Sequence, residues 1–242
     1  MAAGIRLYID GDLAEGVPVA ASADQAHYLG RVMRLGPGDA VNLFNGRDGE
    51  WRAVVERIDK RSADLLPETQ TRPQLEAQGP WLVFAPVKKT GTDFIVQKAT
   101  ELGVSRLIPV ATANTQTGRT NTDRLTATAV EAAEQCERLS VPEVSDMQSL
   151  DVFLGAWPDD RRLFILDETG GGVPLAQALA DANAGAAGFL TGPEGGFTAP
   201  ELDRFAKLSF VTRITLGPRI LRAETAALAA LAVAQAVAGD WN

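Results

Sequence analysis

From Trp81 to the C-terminus the chain alternates short apolar runs with helical patterns, and this alternation restricts the fold more than any other feature. Trp81–Val87, Arg106–Ala111, Arg162–Asp167, Ala187–Thr191 and Phe210–Leu216 read as strands. Thr92 or Asp93 can cap a helix that runs to Leu102 and stops at Gly103, and a second helix spans about 123–138. Pro174–Ala182 reads as a third, Thr198-Ala199-Pro200-Glu201 matches a capping box that starts a fourth, and Ala223–Ala238 is the last. Strands separated by helices imply a mostly parallel sheet covered by helices on both faces. The fold class expected for 73–242 is therefore α/β.

Residues 1–72 follow a different rule. Ile5–Ile9 alternates, and Val41–Phe44 and Trp51–Ile58 flank the turn Asn45-Gly46-Arg47-Asp48-Gly49, a strong hairpin signal. Asp24–Leu35 reads as a short helix carrying His27, Tyr28, Arg31 and Arg34, stopped by Gly36-Pro37-Gly38. These elements suggest a small β-rich domain of barrel type. Pro67–Pro80 is polar, proline-rich and without period, and reads as the linker.

Several classes of function fall away on composition. A single cysteine, Cys136, excludes a disulfide framework, and a single histidine, His27, argues against a histidine-built metal centre. No metal is expected. The N-terminus lacks a signal-peptide layout, and the Ala-rich run Thr225–Gly239 contains Gln235 and is too short to span a bilayer, so no membrane partner is expected and a cytoplasmic location is. The net charge of −8 lowers the prior for nucleic acid. It does not fix the field of one cleft, so an RNA-binding reading has to find its basic residues clustered.

Two strand-to-helix turns carry the chemistry. Thr191-Gly192-Pro193-Glu194-Gly195-Gly196 follows one strand, and Leu216-Gly217-Pro218-Arg219-Ile220-Leu221-Arg222-Ala223-Glu224-Thr225-Ala226 follows the next. In an open α/β sheet, ligands bind at the carboxyl ends of strands. The first turn has neither the P-loop lysine nor the dinucleotide Gly spacing, and its backbone and one carboxylate suit a flat, partly cationic ligand. In the second, Glu224 could merely favour a helix dipole. The helix behind it is apolar nearly all round, however, so its head should lie at the rim of a buried site. Arg222 and Glu224 are thus functional candidates, and Arg219 stands evenly between function and surface. Lys88, Lys89, Lys98 and Arg106 form the densest basic group, readable as a solvated face or as a phosphate track. Glu134, Gln135, Glu137 and Arg138 read as the exposed face of their helix, and Cys136 as a core residue.

Four motifs in register resemble one family. Gln97–Val104, Glu131–Arg138, Gly192–Phe197 and Leu216–Ala226, preceded by His27-Tyr28-Leu29, Arg31, Arg34 and Gly38-Asp39, look like the RsmE family of 16S ribosomal RNA uracil-N3 methyltransferases, of the SPOUT class. The resemblance spans nearly the whole chain. It implies a PUA-like β-barrel over 1–72 that helps hold RNA, and a SPOUT domain over 73–242 with a C-terminal trefoil knot. It also implies a homodimer through that domain, with S-adenosyl-L-methionine as cofactor and 16S rRNA or the assembled small subunit as substrate. The loop Asn114–Thr120 departs from the family pattern in lacking an Arg-Ser pair, and Arg119 is its nearest counterpart.

Carried onto this sequence, the cofactor would be held by Leu166, Thr191, Gly192, Pro193, Glu194, Gly195, Leu216, Gly217, Ile220, Leu221, Thr225 and Ala226. Glu224 or Glu194 would be the general base and Arg222 or Arg219 the stabiliser of charge on the uracil ring. RNA would be held by Arg31, Arg34, Lys88, Lys89, Lys98, Arg138 and Arg219. The alternatives are a SPOUT methyltransferase with another RNA target, and a non-catalytic RNA-binding or ribosome-assembly factor.

Overall fold

The structure is a computed structural model that describes residues 4–75, 78–180 and 186–241. Its contacts divide the chain into two compact units: residues 1–77 with 133–141, and residues 78–132 with 142–242.

The first unit is built on five strands, β1 (Arg6–Tyr8), β2 (Val19–Ala21), β3 (Ala40–Phe44), β4 (Glu50–Ile58) and β5 (Ala63–Arg72), in the order β1-β3-β4-β5-β2. Only β1 and β3 run parallel. Alternate residues of β3 and β4 (Val41, Leu43, Ala53, Val55) face a core with Leu7, Leu29 and Leu65. The β4–β5 register shifts at three places, and such irregularities bend and twist a sheet. The 24–35 helix is shorter than its pattern suggests. Helix α1 (Ala23–His27), capped by Ser22 and Gln25, passes into a π-helical turn over Tyr28–Val32, and Arg34 follows with a positive φ of 58°.

The expected linker over 67–80 is a strand in its first half. Residues 67–72 complete β5 and pair with β4, with Pro67 opposite Ala53 at one of the register shifts. Proline is tolerated there because the shift interrupts the ladder that would need its missing N–H. Low periodicity in sequence therefore concealed a paired strand.

Residues 133–141, read in sequence as part of the second domain, belong to the first unit. Arg6 explains this. Its guanidinium donates to the carbonyls of Ala133 at 2.8 Å and Arg138 at 2.9 Å, pairs with the buried Glu50 carboxylate at 2.5 Å, and lies 4.1 Å over the Phe44 ring. Glu134 accepts from the Tyr8 amide at 2.8 Å. The expected exposed face of Glu134 is thus a half-buried anchor for β1. Arg138 donates to the Ser140 hydroxyl at 3.0 Å, and the Cys136 sulfur lies half-buried, 4.0 Å from the Ala133 carbonyl.

The second unit is a parallel sheet in the order β11-β13-β10-β12-β6-β7-β8. Its strands are β6 (Trp81–Phe84), β7 (Arg106–Ala111), β8 (Glu143–Val144), β10 (Arg162–Leu166), β11 (Val173–Pro174), β12 (Ala187–Thr191) and β13 (Val211–Thr215), with β9 (Gln148–Ser149) against β7. All five residues of β12 are buried, as expected of a central strand covered on both faces. The helices are α2 (Lys89–Glu101), α3 (Thr122–Gln135), α4 (Leu150–Gly155), α5 (Leu175–Leu179), α6 (Ala199–Phe205) and α7 (Ala223–Ala238). The helix expected over Pro174–Ala182 is seen as α5; positions 181–185 lie outside the described residues.

Helix α2 starts at Lys89, before the expected cap at Thr92 or Asp93. The Thr92 hydroxyl instead donates to the Val87 carbonyl and accepts from the Val87 amide, both at 3.1 Å, locking the β6–α2 turn. Helix α7 lies against α2, α5 and β12. Its buried Gln235 donates to the Leu102 carbonyl at 2.7 Å, satisfying a free acceptor at the α2 C-terminus. Among the described residues no helix is long and apolar enough to cross a membrane, and no cluster of His, Cys, Asp and Glu could hold a metal.

Candidate functional site

The turns that follow β6, β10, β12 and β13 enclose one cavity of about 880 Å³ within the second unit. Each turn leaves the carboxyl end of a parallel strand, where the strand order makes a crevice.

The β12–α6 turn is held close by glycine. Gly196 has φ +67°, and a Cβ there would lie 1.9 Å from Glu168 Oε1. A Cβ on Gly192 would lie 3.1 Å from the Phe197 ring. Asn114 clamps the turn from outside, its Nδ2 donating to the carbonyls of Gly195 and Gly196 at 3.0 Å each. Glu201 joins the same brace: its carboxylate accepts from the Thr198 amide and hydroxyl at 2.8 Å each, and from the Ala113 amide at 2.8 Å. The capping box read from sequence thus also fixes the start of the 112–122 loop.

Leu166, Ile214, Leu216 and Leu221 supply apolar wall, and Thr191, Gly192, Pro193, Gly217, Ile220 and Ala226 complete the expected lining. Lys88, Arg219 and Arg222, with Glu168, Glu194 and Glu224, supply charge of both signs. None of these six pairs with a charged group among the described residues, so their charges are uncommitted. Glu224 is the most enclosed of the six and the others are exposed. Its Oε1 lies 3.6 Å from the position of a Cβ on Gly91, and that Cβ would also come within 2.7 Å of Val87 Cγ2. The first turns of α2 and α7 therefore meet at Glu224, and Gly91 makes room for it.

Sequence reasoning missed the β10 turn. Asp167, Glu168, Thr169 and Gly170 all line the cavity. The sequence carries a signal for it, a strand end followed by Gly170-Gly171-Gly172. Asp167 holds the turn. Its Oδ1 accepts from the Thr169 amide at 2.9 Å and hydroxyl at 2.7 Å, and its Oδ2 accepts from Arg213 Nε at 2.9 Å and also pairs with Nη2. Burial pushes the Asp167 carboxyl up, but the Thr169 hydrogen bonds and then the Arg213 guanidinium outweigh it and hold the carboxyl below its ordinary range.

The sign for stability follows from that lowering. A folded-state value below the unfolded one, about 3.9, means the contribution is complete above that pH and disappears as pH falls through the folded value. Asp167→Asn should lower unfolding stability by about 1–3 kcal/mol at neutral pH. The deficit should persist down to about pH 4 and shrink in stronger acid. Urea midpoints of both proteins across pH test this, and a deficit that grows with acid would contradict it.

Other expected residues lie elsewhere. Gly195 and Thr225 are exposed and do not line the cavity. Lys89 lines a separate cavity, and Lys98 pairs with Glu101 at 2.7 Å. Arg31, Arg34 and Arg138 belong to the first unit.

The comparisons agree with this geometry. Residues 77–235 match the RNA methyltransferase domain family, and residues 22–68 match the RNA methyltransferase PUA domain. A ribosomal RNA small subunit methyltransferase E of Rickettsia conorii is 32% identical over 231 residues, 94% of this chain and 93% of that one. A solved ribosomal RNA small subunit methyltransferase E from Neisseria gonorrhoeae, bound to S-adenosyl methionine, superposes with a TM-score of 0.87 at 27% identity over 99% of this chain and 100% of its own. The methyltransferase Lpg2936 of Legionella pneumophila, in complex with the same cofactor, gives 0.85 at 27% identity over 97% of this chain and 98% of its own. A doubly covered parallel sheet, a glycine-walled cavity at its strand ends and matches over nearly the full length lead to one conclusion: this chain belongs to the RNA methyltransferase family of the ribosomal RNA small subunit methyltransferase E proteins.

Proposed function

We propose that this protein uses S-adenosyl-L-methionine to methylate N3 of a uridine in 16S ribosomal RNA. The observation that carries the reading is the cavity at the ends of β6, β10, β12 and β13, with its glycine turns and uncommitted charges of both signs.

The residues fit that cofactor. Its flat purine suits the close backbone of 191–196 and the apolar wall of Leu166, Ile214, Leu216 and Leu221. Its cationic groups suit the carboxylates of Glu168 and Glu194, and its carboxylate suits Lys88 or Arg219. Bound there, the cofactor supplies an electrophilic methyl group.

The rest falls to the chain. Uracil N3 carries a proton that must leave before the nitrogen is a good nucleophile. Glu224, enclosed between the first turns of α2 and α7, takes it, and Glu194 on the exposed turn is the weaker candidate. A positioned base of this kind contributes about 10²–10⁴-fold. Arg222, two residues before Glu224 and in the same lining, stabilises the negative charge that develops on the ring oxygens, with Arg219 earlier in the same turn. Holding the base in line supplies the remainder.

In this reading the last strand–loop–helix section, β13 to α7, forms the trefoil knot, and residues 1–72 act as the PUA-like RNA-holding domain of a cytoplasmic enzyme. Arg31 and Arg34, exposed after α1, contact the RNA there. Two copies join through the C-terminal domain, where Val237 and Trp241 leave apolar surface exposed. The deciding experiment is transfer of labelled methyl from S-adenosyl-L-methionine to small subunits from a strain lacking the modification, followed by analysis of the product nucleoside. Label in 3-methyluridine is expected; label on another atom or base, or none, would refute the reading.

A further inference from the structure

A second cavity, of about 700 Å³, lies beside the first and shares Val87 with it. It sits wholly in the second unit, between the start of α2 and the loop that leads into α3. Consecutive residues divide between the two: Lys88 lines the first cavity and Lys89 the second.

Some of its polar groups are spent on the fold. Arg124 is held by Asp93, and Asn121 Oδ1 accepts from the Arg124 amide at 2.9 Å to start α3. Thr117 donates to the Val87 carbonyl at 3.3 Å, tying the loop to the β6 turn. By contrast, Lys89 and Arg119 are exposed and pair with no charged group among the described residues. The Thr120 hydroxyl is buried without a hydrogen-bond partner among the described residues, which ordinarily costs about 1–3 kcal/mol. Two uncommitted cations and an unsatisfied hydroxyl around one cavity suit a phosphodiester with a neutral polar group attached.

We infer that this cavity is a subsite for the RNA nucleotide next to the methylated one, with Lys89 and Arg119 on its phosphate and Thr120 on its base or sugar. The inference rests on the proposed RNA methylation, and it adds a place where the strand continues beyond the target base. The shared Val87 makes the subsite contiguous with the cofactor cavity, as neighbouring nucleotides on one strand require. An exposed cationic pair, not deep burial, is the expected form of such a site, because phosphate contacts position a strand without reading its sequence. Asp123, also in the lining, is placed to accept from a base amino group.

The test uses the full-length protein and under-methylated small subunits. Lys89→Ala and Arg119→Ala should each raise KM for the subunit about tenfold while kcat and calorimetric cofactor affinity stay at wild-type values. Each should also flatten the salt dependence of log KM by about 0.7–0.9, the signature of one lost phosphate contact. Arg119→Lys should recover most of the affinity. Photo-cross-linking of wild-type enzyme to subunits should attach a nucleotide to the peptide carrying Arg119. Unchanged KM and salt slope in both variants, or a cross-link from this peptide only to a ribosomal protein, would overturn the subsite. Failure of the wild-type enzyme to bind cofactor or transfer methyl would instead refute the underlying reading.

Discussion

Glu224→Gln should lower kcat by about 10²–10⁴-fold, the range expected when a positioned general base is removed. The substitution keeps the shape of the side chain and removes its ability to take a proton. Glu224 lies in the first turn of α7 and makes no ion pair with a described residue, so the fold should survive the change. The Gly91 position beside its carboxylate leaves space for an amide of the same size. Cofactor affinity measured by calorimetry should stay within a few-fold of wild type. Glu194→Gln, on the exposed β12 turn, should cost far less. A Glu224→Gln enzyme with wild-type rate and an unchanged pH–rate profile would remove Glu224 from the proton transfer, and a large loss in Glu194→Gln would move the role there.

Arg222→Ala should reduce kcat/KM by about 10²–10³-fold, the size of the loss when one preorganised donor to a developing anion is removed. The backbone role of Arg222 is separable from its side chain. Its carbonyl accepts from the Ala226 amide at 2.8 Å and so begins α7, and alanine can do the same. Its guanidinium is exposed and uncommitted, so truncation leaves no orphaned partner behind. Arg222→Lys should recover only part of the loss, because an ammonium cannot present the planar pair of donors that a guanidinium does. Single-turnover rates with saturating RNA would separate this from weaker substrate binding. A full rate in Arg222→Ala would place the stabilising charge on Arg219.

These two residues were visible in sequence because their setting was. The run Leu216–Ala226 joins a strand to a helix that is apolar nearly all round, and a charge at the head of such a helix has few places to go other than the rim of a site. The 191–196 turn was visible for another reason: it follows a strand, is rich in glycine and precedes a capped helix. Local reading failed at Asp167, because a carboxylate at a strand end looks like any surface residue until Arg213, which comes 46 positions later, closes on it. It failed at Asn114 for the same reason, since its partners are the carbonyls of Gly195 and Gly196, and a backbone carbonyl carries no sequence signature. Lys98 shows a partner that the basic group did not suggest, since an i,i+3 carboxylate on its own helix, Glu101, pairs with it.

The sequence by itself determined the α/β class, the β-rich start, the two turns of the cavity and the family, because each is written in local patterns: period, glycine and proline placement, and motif order. Only the tertiary structure decided that 67–72 is a strand, that 133–141 belongs with the first unit, and that Lys88 and Lys89 serve different cavities. Each of these depends on partners distant in the chain, on β4, on Arg6, or on how α2 meets the 117–124 loop. Local pattern reports which face a residue prefers; which groups meet across that face is set by packing between segments that the pattern treats separately.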